Sequence, residues 1–321
     1  MESSSDVVAH EMTFGRFDLR PGDDHYPQAL LELPSPPEIL HGIGDATLLH
    51  EQCLGVIGAR RATPYGMAAA EMAGRIAAAS NVVVVSGGAM GCDSCAEYAA
   101  INRGGKTIVV AGTGANVPYP KTSKELFERA WAGEGVVVSL CPWDQEARPF
   151  AFRRRNDVIA ALSHALMVVE AGVPSGTIST ANMALELGRI IYAVPGSIFS
   201  PQSRGTNSLI EQGAGIIVDE VGLEERVALD FGRLRAIEQR DDLVLSRVLE
   251  AVVASPSRVD ELACRLDSEP IGLARELSEY EMSGLVKRLP DGRYAASEKL
   301  LLRKMDNTQA GDESPPRRFV V

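Results

Sequence analysis

The chain has 321 residues, 45% apolar and 23% charged, and carries a formal net charge of −11. That length predicts about two domains with full cores, and no run approaches the ~20 uninterrupted apolar residues of a membrane span. The acidic balance argues against nucleic-acid binding through a broad basic stripe, so a polyanion would have to be held in a local pocket.

The first residues, MESSSDVVAHEM, lack the basic start and apolar core of a secretory signal, which predicts a cytoplasmic protein without a membrane partner. Residues 1–50 read as a polar, then proline-rich, extension packing on the main domain. From residue 51 to 220 one cadence repeats: a β-branched apolar run breaks into glycine, serine or proline, and a helical stretch follows. Predicted strands are Leu54–Ile57, the Val82–Val85 run, Thr107–Ala111, Val136–Ser139, Leu166–Glu170, Ile190–Val194 and Gly215–Val218. Strands apolar at nearly every position are buried on both faces, as in a doubly wound, mainly parallel sheet covered by helices. Ligands of such sheets bind beyond the carboxyl ends of the strands. Residues 141–155 read as irregular, and 221–240, charged and helical in composition, as a linker. Residues 241–298 outline three helices and a hairpin turning on Asp291-Gly292, a small winged-helix module. The tail, 299–321, reads as disordered.

The strand ends carry the chemistry. Ser86-Gly87-Gly88-Ala89-Met90-Gly91 joins a strand to a helix, where glycines admit a ligand close to the backbone and helix N–H groups face an anion. No carboxylate closes the next strand, which ends in Gly112-Thr113-Gly114, and no Gly-Lys-Ser/Thr occurs. These absences exclude a dinucleotide fingerprint and a P-loop, and no cofactor is expected. Gly58-Ala59-Arg60-Arg61 places guanidiniums at another strand end, suited to bidentate phosphate contact. Arg148-Pro149-Phe150-Ala151-Phe152-Arg153-Arg154-Arg155-Asn156 interleaves cations with aromatic rings, the pairing that single strands favour. Ser175-Gly176-Thr177 supplies small hydroxyls before a helix, able to cap it or to meet a phosphate. Cys92 and Cys95 lack a second ligand pair at zinc spacing and read as helix-packing residues.

In order and spacing these motifs resemble the DNA-processing protein A (DprA/Smf) family. The matching parts are Tyr26-Pro27-x-x-Leu30, Ile57-Gly58-Ala59-Arg60, Thr63-x-Tyr65-Gly66 and Val85-Ser86-Gly87-Gly88-Ala89-x-Gly91-x-Asp93. Further matches are Tyr119-Pro120, Phe152-x-x-Arg155-Asn156, Val169-Glu170-Ala171, Ser175-Gly176-Thr177-x-x-Thr180, Ala193-Val194-Pro195-Gly196-Ser197 and Gly205-Thr206-Asn207. The resemblance implies an extended Rossmann-like domain that binds single-stranded DNA without catalysis, protects incoming strands in natural transformation and loads the RecA recombinase. It also implies a homodimer through that domain and, in many members, a C-terminal winged helix. By the same carry-over Arg60, Arg153, Arg155 and Asn156 would contact phosphate. Gly58, Ser86, Gly87, Gly88, Gly91, Ser175, Gly176 and Thr177 would line the pocket, and Phe150 or Phe152 would stack on a base.

Two positions depart from the family pattern. Glu97 stands where a histidine is usual, and Asp157 where a cation is expected, so a carboxylate there would repel phosphate. The enzymatic alternative is a nucleotide-processing hydrolase resembling phosphoribohydrolases, with Glu170 or Glu97 as the acid. A winged-helix transcription regulator is the other rival, but Glu269, Glu276, Glu279 and Glu281 face a lone Arg275 on its presumed recognition segment.

Overall fold

The computed structural model describes residues 15–233 and 246–303. A nine-stranded sheet organises the larger part. In chain order its strands are β1 (Arg16–Leu19), β2 (Leu40–Gly44), β3 (Cys53–Ile57), β4 (Val83–Ser86), β5 (Thr107–Gly114), β6 (Gly135–Cys141), β7 (Ser163–Val168), β8 (Ile190–Ala193) and β9 (Gly215–Ile216). Their spatial order is β1-β2-β6-β5-β4-β3-β7-β8-β9. From β6 to β9 every pairing is parallel, whereas β1–β2 and β2–β6 are antiparallel.

The apolar runs explain why both faces are covered. Cys53, Ile57, Val83, Val85, Ile108, Val110, Val136 and Val138 enter one core, against helices α4 (Pro149–Leu162) and α5 (Gly176–Glu186). Alternate residues Leu54, Val56, Val82, Val84, Ala165 and Met167 enter the other, against α1 (Pro64–Ala79) and α2 (Cys92–Asn102). The period of two along each strand makes this partition. Gly74 of α1 lets that helix approach α2, since a methyl there would strike the Ala96 carbonyl. The strand order reverses between β3 and β7, so the crevice at the switch point opens beside the loops that follow those two strands.

Several expectations need correction. The extension up to residue 50 does more than pack: β1 and β2 extend the sheet, with His41 opposite Ser139. The stretch expected to be irregular up to Arg155 is helical from Pro149, because proline at the first helical position begins α4 there. The Gly112–Gly114 turn belongs to β5, and strand β7 ends at Val168. The expected linker begins too early. Helix α7 (Glu220–Asp230), capped by Asp219, sends Leu223 and Val227 into the core beneath α1. Short α3 (Lys124–Arg129) and α6 (Arg204–Glu211) complete the α-helices of this part.

The C-terminal part is a winged-helix domain, with helices α8 (Arg247–Ala254), α9 (Val259–Leu266) and α10 (Pro270–Met282) and a hairpin of β10 (Val286–Arg288) and β11 (Tyr294–Ala296). Leu249, Val252, Leu262, Leu273, Leu277 and Val286 form its core. The expected disordered tail starts with a helix, α11 (Glu298–Arg303), which packs on α1. Leu243 and Leu245, expected in the first helix, and the tail beyond residue 303 lie outside the described residues.

Candidate nucleic-acid interface

Five chain segments meet at the carboxyl ends of the strands: the loops after β3, β4 and β5 and helix α4 around one small cavity, and the start of α5 beside them. From β3 comes Gly58, whose N–H points to Asp93 Oδ1 (3.4 Å) and whose carbonyl accepts from Thr177 Oγ1 (3.3 Å), tying the loops after β3 and β7 together. From β4 comes the glycine loop. Gly91 (φ +89°) and Gly88 (φ +62°) occupy backbone regions that side chains resist, and a methyl on Gly91 would meet the Ala59 carbonyl. Gly87 is needed for a different reason, since a methyl there would coincide with the guanidinium of Arg155.

Arg155 is the centre of the site. It reaches from α4 to lie directly beneath the loop, only 5% exposed. Its Nη1 donates to the Val110 carbonyl over a long 3.3 Å, and Asp93 Oδ2 stands 3.9 Å away. Its Nε has no partner. A guanidinium so deeply buried with a donor unmade is costly unless a ligand completes it. Burial lowers its pKa and the carboxylates of Asp93 and Glu97 oppose that shift; the group stays cationic because a guanidinium titrates far above neutrality.

Around it Arg60, Gly87, Ala89, Met90, Tyr119, Pro120 and Phe152 enclose a cavity of about 40 Å³. Phe152 lies against Gly112, its ring 5.3 Å from that of Tyr119. The guanidiniums of Arg60 and Arg155 stand 5.7 and 5.9 Å from its centroid. The result is one aromatic ring close to two cations, with Met90 and Tyr119 exposed at the rim. Tyr119 and Pro120 were absent from the expected site residues, although Tyr119-Pro120 was legible as a motif, whereas Ala89 and Met90 belong to the glycine loop expected to line the pocket.

Other expected residues are placed differently. Ser86 is fully buried and donates to the Val56 carbonyl (2.6 Å), so its hydroxyl braces the sheet beneath the crevice. Asn156 lies against Gly176, where Ser175 caps α5 by accepting from Thr177 N–H (3.0 Å). Phe150 and Arg153 are exposed on α4 outside the small cavity. Asp157 does not line the notch either. Two residues beyond Arg155 it lies roughly 200° around the helix, half-buried, its pKa raised by burial against the pull of Arg154 and Arg153.

The two glutamates offered for hydrolysis are both engaged. Glu97 is sealed under the glycine loop, accepting from Gly88 N–H (3.0 Å). Glu170 accepts from Thr63 N–H (2.9 Å) and from the Thr63 hydroxyl, locking the start of α1. It also lines a larger cavity, about 350 Å³, between the loops after β7 and β8 and the winged-helix residues Val252, Pro256 and Ala296. The Cys92 and Cys95 thiols are pushed up by burial, and Cys95 donates to the Met67 carbonyl. Among the described residues no group of His, Cys, Asp and Glu is placed to hold a metal ion, and no helix is long and apolar enough to cross a membrane.

A mainly parallel sheet whose strand ends carry glycine turns, a buried guanidinium and an aromatic ring defines a Rossmann-like fold. Residues 19–227 match the family described as DNA recombination-mediator protein A, and residues 235–292 match the DprA winged helix domain. The chain belongs to this DprA/Smf family. It is 30% identical over 316 residues to Protein Smf of Synechocystis sp., covering 86% of this chain and 79% of that one. DNA processing protein A of Streptococcus pneumoniae superposes with a TM-score of 0.61 at 35% identity, over 66% of this chain and 74% of that one. The protein of Helicobacter pylori, whose structure was described for its single-stranded DNA binding mode, gives 0.61 at 28% identity over 68% and 97%.

Proposed function

We propose that this chain binds single-stranded DNA at the carboxyl ends of β3, β4 and β5 and, as a homodimer, loads the RecA recombinase onto the bound strand. The observation that carries the reading is Arg155, buried beneath Gly87 with its Nε donor unmade and set beside the exposed Arg60 and the Phe152 ring. Phosphate supplies the missing acceptors, and a base stacks on an aromatic ring at either Phe152 or the exposed Phe150. Gly58, Ser175, Gly176 and Thr177 form the flank of the groove, while Arg153 and Asn156 continue it along α4. The protein acts by binding rather than by catalysis, and the engagement of Glu97 and Glu170 supports that. The dimer forms through the Rossmann-like domain. The sheet ends there in the two-residue β9, with Ile190, Ile216, Val218 and Val221 exposed, the sort of open edge that a second copy covers. The winged helix serves protein contact, because α10 carries Glu276, Glu279 and Glu281 and its Arg275 is paired with Glu279 (3.4 Å).

The test is equilibrium binding of equal-length single- and double-stranded oligonucleotides across a salt series. Preference for the single strand, with affinity falling as salt rises, supports the reading; equal binding of both, or none, rejects it. RecA nucleation on single strands coated with a competitor protein, with and without this chain, tests the loading step.

A further inference from the structure

Helix α2 places Asp93 and Glu97 four residues apart, on one face, and that face lies under the glycine loop. Both are buried, Glu97 completely. Glu97 Oε2 accepts the Gly88 N–H, and its Oε1 has no partner. The groups facing this carboxyl are Asp93 on its own helix, Arg155 from α4 and the neighbouring Tyr98, while Arg60 bears on Asp93 and Arg155 from the loop after β3. Two carboxyls thus share one buried guanidinium.

Were both ionised, the chamber below the phosphate site would hold a net negative charge out of reach of water. Such a charge is relieved by protonating one carboxyl. Burial raises the pKa of Asp93 as well, but Arg155 at 3.9 Å and the Gly58 N–H pull it back, so Asp93 is the one that keeps its charge. Glu97 has a single neutral donor. Burial first, and Asp93 second, push its pKa well above the ordinary 4.5.

Resting on the single-stranded DNA reading, we propose that Glu97 is a positioning residue that works as the neutral acid. Its carbonyl oxygen fixes the Gly88 amide, and its proton leaves the Arg155–Asp93 pair net neutral, so that the guanidinium can accept a phosphate. Binding then carries a built-in pH limit, set by a group that touches no DNA. An uncompensated charge within about 8–10 Å of a phosphate, at an effective dielectric constant of about 20, lowers affinity by roughly fifteen- to thirtyfold.

The sign for stability follows from the same proton. Glu97 has a folded-state pKa above its unfolded value, so its contribution is complete below that unfolded value and is lost as pH rises through the folded one. Glu97→Gln keeps the shape and an acceptor for Gly88 but has no proton to lose. The experiment measures oligothymidylate affinity and unfolding free energy from pH 5 to about 9.5, and the infrared carbonyl band of a protonated carboxylic acid, in wild type and Glu97→Gln. Expected are a fall in wild-type affinity and stability with rising pH, both flattened in Glu97→Gln, and a carboxylic-acid band absent from the variant. Identical pH profiles in the two proteins, or no difference in the band, overturn the proposal. If wild type binds no single strand at any pH while the stability slope and band still depend on Glu97, the DNA reading fails and the neutral acid stands.

Discussion

Adding one methyl group at Gly87 separates the role of Arg155 from general folding. The Cβ of Gly87→Ala would occupy the position of the Arg155 guanidinium, so the cation must move away from Val110 and Asp93. Gly87 is not among the residues with positive φ, so alanine meets no backbone penalty there. Forcing a side chain aside in a packed interior costs about 1–3 kcal/mol. A charge-assisted hydrogen bond to phosphate is worth about 1.5–3 kcal/mol, so its loss weakens single-strand binding roughly ten- to a hundredfold. Thermal unfolding and fluorescence-anisotropy titration with a labelled oligonucleotide report the two effects separately. Gly172→Ala is the control, because a methyl there meets only the Pro201 carbonyl at an ordinary 3.6 Å. If Gly87→Ala binds and melts like wild type, Arg155 is not the buried phosphate receptor and the reasoning is refuted.

Arg60→Ala and Arg153→Ala remove exposed cations, so each should leave the melting temperature unchanged. Each should also reduce the slope of log K against log salt by about 0.7 per lost single-strand phosphate contact, and unchanged slopes would remove these residues from the interface. Phe150 is 63% exposed, and truncating it to alanine should weaken binding by up to about 1–3 kcal/mol if a base stacks there, without loss of stability. Thr63→Ala deletes the cap that Glu170 holds, and should cost about 1 kcal/mol in chemical denaturation while leaving DNA affinity near wild type. Release of free base from nucleoside monophosphates, lost in Glu170→Gln, would instead establish the hydrolase reading.

The parallel sheet was legible because a strand buried on both faces has no polar positions to blur it; Val82–Val85 needs no context. The strands β1 and β2 were not legible. Arg-Phe-Asp-Leu and Leu-His-Gly-Ile-Gly are short and mixed in polarity; β1 is the edge strand, and β2, although paired on both sides, alternates buried and half-buried positions. The helical composition of the segment holding α7 was legible, but its packing was not, since only Leu223 and Val227, four apart, face the core among its charges. The arginine run illustrates the harder limit. Its sequence announces four cations, yet the fold buries Arg155 and leaves Arg153 and Arg154 in solvent, a division made by where α4 crosses the loop after β4. The same crossing settles Asp157, whose position in sequence suggested harm to the notch. Glu97 carried no local sign of burial, because nothing in its own neighbourhood along the chain reveals that Gly88 would close over it.

The antiparallel pair formed by residues 16–19 and 40–44 has a practical consequence. It seals the flank of β6, whose Val136-Val137-Val138 would otherwise present unsatisfied amides and carbonyls along a greasy border. A shortened version starting near residue 50 would keep every cation of the crevice and yet offer a ready template for strand addition. Its expected fate is clumping during purification, and a loss of DNA binding in such a fragment would report stickiness rather than a missing contact.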